Sequence, residues 1–310
     1  MSARPAPAAT SELFDADFLA RLERLRLVSR RMLPGAFKGE HRSRKRGSGV
    51  EFADYRPYVE GDSLRFVDWP AYLRFDKLLV RTFEEEEDLP IYLLLDCSRS
   101  MEGEPDEEIE LARTKFGMAR RLCAAIAYIG LVNLDRVTLM LYRERIVEAL
   151  PTLRGPTQIH RILRCLEHAR TEGATRLETA LRDFLAVPRR RGLVVVISDL
   201  FDDGAVEAMA RLCLGHDVLA LRLLTREEAA PELGLGGRRR LRLVDSETGR
   251  EHVLHVDQRL LDAYARELEL QDEAVAEVCR KRHWTFLRSD PGEEFDDVVQ
   301  RIFRTGRLLR

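Results

Sequence analysis

Two stretches of the chain, Ile91-Tyr-Leu-Leu-Leu95 and Leu193-Val-Val-Val-Ile197, run apolar without a polar face. That is the pattern of strands buried on both sides, as in a parallel sheet covered by helices. Helical periodicity follows the first strand, at roughly 107–131. Arg136–Tyr142 then alternates like a strand, with Ile146–Leu150 as its hairpin partner, and helical stretches at about 157–169 and 176–186 come next. After the second apolar run the pattern gives a helix near 204–214 and a strand at 218–224. Repeated strand–helix units of this kind predict an α/β fold with a mostly parallel central sheet and helices on both faces.

The alternation breaks at residues 226–256, a Gly/Arg-rich stretch followed by Leu241-Arg-Leu-Val and His252-Val-Leu-His around Asp245-Ser-Glu-Thr-Gly249. This reads as an inserted hairpin. A charged helix at about 257–282, a strand at Trp284–Leu287 and a helix at about 293–306 resume the pattern. Upstream, residues 1–10 are Pro/Ala-rich, the composition of an unstructured tail. The apolar series Leu13, Phe14, Phe18, Leu22, Leu25 has helical spacing up to about Met32, and Pro34-Gly35 ends it. A basic run, His41–Arg46, reads as a solvated loop, residues 50–83 as short strands and turns, and Glu84–Asp88 as an acidic strand end or linker. The expected layout is a tail and helix at 1–34, a second segment containing β-structure at 35–88, and the α/β domain at 89–310 with its insertion.

Composition narrows the function classes. Lys and Arg total 51 and Asp and Glu 53, without the basic excess of a general nucleic-acid binder. No stretch approaches the apolar length of a membrane helix. The first residues lack an apolar signal core, so the expected location is the cytoplasm. The five cysteines are scattered without a Cys-x-x-Cys pair, which predicts buried thiols rather than a zinc or redox centre. His252 and His255, three apart on a strand, point to opposite faces and make a poor metal pair.

The chemistry gathers at strand ends. The first buried strand runs into Asp96-Cys97-Ser98-Arg99-Ser100, the fourth into Ser198-Asp199, and Gly173-Ala174-Thr175 precedes a helix. In an open parallel sheet, strands one and four flank the crevice where strand order reverses. Asp96, Thr175 and Asp199 are therefore expected to converge there. Two carboxylates, three hydroxyls and water suit a hard cation that takes about six oxygens. Neutral hydroxyls leave such an ion able to accept a further carboxylate. Ser98 or Thr175 taken singly reads as a helix cap.

The set Asp96-x-Ser98-x-Ser100, Thr175 and Asp199 resembles the metal-ion-dependent adhesion site of von Willebrand factor A domains, over about residues 89–310 apart from the insertion. That resemblance implies a Rossmann-like von Willebrand factor A fold. It also implies magnesium or manganese held by Ser98, Ser100 and Thr175, with Asp96 and Asp199 acting directly or through water, and Asp202 and Asp203 on an acidic rim. The upstream string is similar to the domain of unknown function 58 family. It comprises Arg46-Gly47, Glu51-Phe52-Ala53-Asp54-Tyr55-Arg56-Pro57-Tyr58, Gly61-Asp62, Arg65, Asp68-Trp69, Leu79-Val80-Arg81 and Glu84-Glu85. Members of that family are often encoded beside MoxR-type AAA+ ATPases, which implies such an ATPase or its client as partner. Asp54, Tyr55, Arg56, Asp62, Arg65, Asp68 and Trp69 are expected to staple the upstream segment to the sheet through Asp–Arg pairs and a buried Trp.

The functional expectation is a metal-dependent protein-interaction module, not an enzyme. A phosphatase-like hydrolase is the alternative, because Asp96 and Asp199 follow buried strands as in haloacid dehalogenases. Those enzymes carry a second acid two residues after the nucleophile, and Ser98 stands there instead. Neither a Gly-x-x-x-x-Gly-Lys-Ser/Thr loop nor a Gly-x-Ser-x-Gly elbow occurs.

Overall fold

A computed structural model describes residues 13–32, 51–60, 62–84, 88–102, 110–202, 204–211, 215–230, 240–245, 247 and 249–305. The Pro/Ala-rich residues 1–10, the basic run 41–46, most of the acidic run 84–88, Asp203 and Cys213 lie outside the described residues. The chain divides into two compact units, Met1–Pro34 with Leu89–Leu309, and Gly35–Asp88.

In the smaller unit, strand β1 (Glu51–Pro57) pairs antiparallel with β2 (Leu79–Glu84). The short helix α2 (Trp69–Phe75) lies between them in sequence, and α1 belongs to the larger unit. Asp68 caps α2 by accepting from the Ala71 amide at 3.0 Å and also accepts the Tyr55 hydroxyl at 2.7 Å. Arg56 grips Asp62 through both guanidinium nitrogens at 2.6 and 2.8 Å, and Asp62 accepts from the Val59 amide. These motif residues thus bind one another within their own unit. Trp69 does not match the buried anchor expected of it: it is 50% exposed, edge-on to Tyr72.

The larger unit is a six-stranded sheet of β3 (Pro90–Asp96), β4 (Arg136–Tyr142), β5 (Ile146–Ala149), β6 (Leu193–Ser198), β7 (Asp217–Leu223) and β10 (Thr285–Ser289). Their spatial order is β5-β4-β3-β6-β7-β10, with β5 antiparallel at one edge and the rest parallel. Renumbered along this sheet the order is 3-2-1-4-5-6, the doubly wound topology whose crevice opens between the first and fourth strands. Those are β3 and β6, every residue of which is buried. Leu95 pairs with Ile197, which brings Asp96 level with Ser198. The fold is the Rossmann-like α/β architecture expected from the pattern. The hairpin of the insertion is β8 (Arg240–Val244) against β9 (Glu251–His255).

Helices cover both faces. On one, α5 (Leu177–Ala186), α6 (Ala205–Arg211) and α8 (Gln258–Lys281) pack on Leu94, Met140, Val194, Val196, Val218 and Ala220. On the other lies α3 (Lys115–Val132), a helix buried nearly all round, with α4 (Ile159–His168) and α9 (Phe295–Thr305) packed against it. Helix α3 begins at Lys115, not near 107, because Thr114 caps it by accepting from the Gly117 amide and Leu111–Arg113 forms a separate 3-10 turn. The N-terminal helix α1 (Ala16–Met32) joins this face: Phe18 meets Phe295 at 5.4 Å, and the Arg121 guanidinium lies 4.7 Å over the Phe18 ring. Cys97, Cys123, Cys165 and Cys279 are buried thiols, and burial pushes each pKa up.

His216 precedes β7 with its ring 5.6 Å from Tyr92 and 5.5 Å from Phe184, and Trp284 donates to its carbonyl. Burial lowers its pKa below the ordinary 6.5. The unfolded chain therefore takes up this proton at higher pH than the folded protein does. Stability is full while both states are neutral, declines as pH falls through about 6.5, and levels off below the depressed folded value. Urea unfolding at about pH 7.5 and about pH 5.5 checks this: the wild type should lose more stability than His216→Phe, by at most about 1.4 kcal/mol per pH unit.

Candidate metal centre at the carboxyl edge

The end of β3 turns sharply. Asp96 is fully buried, and its Oδ1 accepts from the Ser98 amide at 2.9 Å while its Oδ2 accepts from the Ser198 hydroxyl of the neighbouring strand at 2.7 Å. The Ser98 and Ser100 hydroxyls lie 3.0 Å apart. Backbone bonds lock the loop carrying Thr175 beside them: Arg99 donates to Gly173 and Glu172 donates to Cys97, each at 3.0 Å. Gly173 takes a φ of +70°, a conformation that glycine adopts without a side-chain penalty.

Asp199 is also fully buried. One oxygen meets the Lys115 Nζ at 3.0 Å, the other accepts from the Phe201 amide at 3.3 Å, and its carbonyl accepts from Arg222 Nε at 2.8 Å. Lys115 spans from Asp199 to Glu228 at 2.5 Å. Burial alone would lower its pKa, but the two carboxylates outweigh burial and hold it raised. Arg222, on β7 and without exposed surface, also bonds Asp272 and Gln271 on α8. Leu200 adopts a φ of +55°. That is the left-handed region, costly for a branched side chain and sustained only where surrounding bonds fix it; its amide donates to Ser198 Oγ.

These contacts bring Asp96, Ser98 and Ser100, the Thr175 loop and Asp199 to one edge of the sheet. Neither Ser98 nor Thr175 is spent on a cap. Ser98 opens a 3-10 turn without a side-chain capping bond, and the first amide of α5 is taken by Asp202 Oδ2 at 2.7 Å. Asp202 is thereby committed to that helix rather than standing free on a rim. The Thr175 Oγ1 is buried without a hydrogen bond of ordinary geometry. Thr179, the next hydroxyl residue along the chain, sits within α5.

Charge is unevenly balanced here. Burial, then the nearby Asp199 charge, pushes the Asp96 carboxyl up to about 7. Among the described residues Asp96 has no ion pair, whereas Asp199 and Glu228 share Lys115. Lys115, Ser198, Arg222 and Glu228 were not singled out in the sequence. A lysine opening an almost wholly apolar helix, and an arginine inside the apolar strand Val218–Leu223, are the signals that point to two of them. A fifth, Glu247 in the hairpin turn, accepts from the Thr175 amide at 3.0 Å. Burial raises its pKa, and the Thr175 bond lowers it in part. Among the described residues no three His, Cys, Asp or Glu side chains form a metal cluster. The donors assembled here are mainly hydroxyls with two carboxylates.

The chain belongs to the family described as protein of unknown function DUF58, whose pattern matches residues 54–274. No curated protein matches it. Among solved structures it is similar to the conserved hypothetical protein BatB from Bacteroides thetaiotaomicron, at 15% identity over 70% of this chain and 98% of that one, TM-score 0.43. An aerotolerance-related membrane protein from Bacteroides fragilis, determined with multiple mutations to serine, gives 17% identity over 70% and 98%, TM-score 0.40. A von Willebrand factor type A protein from Catenulispora acidiphila gives 14% over 64% and 44%, TM-score 0.35. Among the described residues no helix is long and apolar enough to cross a membrane.

Removing Lys115 leaves Asp199 buried without its cation. Lys115→Met should cost about 3–5 kcal/mol in urea unfolding, the loss expected when one partner of a buried pair is deleted.

Proposed function

We propose that this chain is a metal-dependent protein-interaction module of the cytoplasm. Asp96, Ser98, Ser100, Thr175 and Asp199 would hold one magnesium or manganese ion, and the module would act as an adaptor for a MoxR-type AAA+ ATPase or its client. The observation that carries this reading is a buried Asp96 that has no ion pair among the described residues, beside a second buried carboxylate, with the Thr175 hydroxyl buried on the same edge without a hydrogen bond of ordinary geometry. A divalent cation would neutralise the first pair and give the hydroxyl a partner. Bound there, it would supply a Lewis-acidic position for an oxygen anion from another protein. The residues of this chain do the rest: Ser198 and the Ser98 amide orient Asp96, and Lys115 and Arg222 fix Asp199. The ATPase comes from the family resemblance, which offers a partner that could use such a module.

The reading excludes turnover by this chain, since Ser98 occupies the place of the acid/base carboxylate that a phosphatase of this kind needs. Purified protein with magnesium should hydrolyse generic phosphate esters no faster than a metal-free control. Robust turnover lost in Asp96→Asn would favour the hydrolase instead.

Two measurements test the proposal directly. Magnesium at about ten times its dissociation constant should add about 1.4 kcal/mol, a rise in Tm of about 3–6 °C for a domain of this size. Calorimetry on Asp96→Ala should show no such rise; a rise equal to wild type would place the ion elsewhere. In pull-downs against a MoxR-type ATPase, capture should fall with EDTA and with the double change Ser98→Ala, Ser100→Ala. Capture indifferent to both would remove the metal from the interaction.

A further inference from the structure

The inserted hairpin places a carboxylate at this same edge. Glu247 sits at the turn between β8 and β9, and its Oε1 accepts from the backbone amide of Thr175, 72 residues away, at 3.0 Å. The turn is shaped to present it: the Glu247 amide donates to Asp245 Oδ1 at 2.9 Å, the Gly249 amide to the Asp245 carbonyl at 2.8 Å, and the Asp245 amide to the Arg250 carbonyl at 2.8 Å. Gly249 takes a φ of +70°, which suits the reversal. Several strand side chains behind the turn are open to solvent, and Leu254 is half-buried. Arg242, Val244, Glu251, His252, Val253 and His255 are all exposed, while Glu247 at the tip is half-buried. A hairpin ordinarily buries the side chains along one face of its strands. At the tip of this one, the Glu247 carboxylate reaches the Thr175 loop.

Asp199 stands at the same edge, and among the described residues no cation pairs with Glu247. A cation between two like charges relieves their repulsion. We infer that Glu247 is a built-in carboxylate for the metal centre: the hairpin docks its tip where a partner's acid would bind, and holds the site closed until a partner displaces it. This rests on the metal-dependent reading above. Release of Glu247 breaks one hydrogen bond to the Thr175 amide and opens neither of the buried strands β3 and β6. The occupant of the released site is then an exposed Asp or Glu on another protein, which must outcompete an intramolecular rival.

The test uses the full chain and magnesium alone. Isothermal titration should show Glu247→Gln binding magnesium about tenfold more weakly than wild type, the scale of losing a supporting partner at a metal site. Glu251→Gln, on the exposed strand of the same hairpin, should bind as wild type. Hydrogen exchange across residues 240–255 should slow when magnesium is added to wild type and stay unchanged in Glu247→Gln. If wild type binds magnesium but Glu247→Gln binds it equally and the hairpin's exchange ignores the metal, the latch is wrong and the metal centre stands. If wild type binds no magnesium, the metal centre and the latch both fall.

Discussion

Asp96 and Asp199 stand at the ends of adjacent parallel strands, out of contact with water, where their charges oppose each other. Burying two carboxylates side by side is costly unless each negative charge is met by donors or cations. Much of the carboxyl edge is built to meet them. Ser198 and the Ser98 amide serve Asp96, and Lys115 and the Phe201 amide serve Asp199. Arg222 pins the carbonyl of Asp199 and ties it to α8. The left-handed Leu200 belongs to the same arrangement, since the chain must reverse directly after Asp199 while its side chain stays buried. Helix α3 begins with the lysine that Asp199 needs, so the site and the central helix of one face are locked to each other.

The fold was largely legible because the two inner strands carry unbroken apolar runs, and only a sheet covered on both faces buries such runs. The strand order followed from the same pattern once Arg136–Tyr142 and Ile146–Leu150 were read as a hairpin. Helix α3 started later than its periodicity suggested, because a capping threonine overrides the apolar count upstream. That Asp96, Ser98, Ser100, Thr175 and Asp199 share one edge was legible because each follows a strand or a glycine turn. The role of Glu247 could not be read. Its meaning depends on where an insertion folds back, and nothing local in Asp245–Gly249 encodes a contact with Thr175. Asp202 was misassigned for a similar reason: an acid after a strand looks like a rim residue until the neighbouring helix is seen to need its cap.

The smaller unit shows how a dense motif can be spent on structural bonds. Its polar residues are arranged in pairs, Arg56 with Asp62 and Tyr55 with Asp68, that fix the turn before α2. A two-pronged guanidinium–carboxylate contact of this kind tolerates few replacements. Trp69, Leu73 and Phe75 remain exposed on α2, so this short helix does not owe its place to burying its own aromatic residues.

The packing of α1 has a consequence for how the chain is made. Its buried residues Phe18 and Leu22 precede their partners in the chain, and Phe18 meets Arg121 and Phe295. Nearly the whole chain must be translated before that contact can close. The helix therefore spends synthesis with an apolar stripe uncovered, and the intervening unit is an insertion within the domain that α1 completes. Such long-range closure slows folding and lengthens exposure to aggregation. Helix α1 is translated well before the elements that bury it.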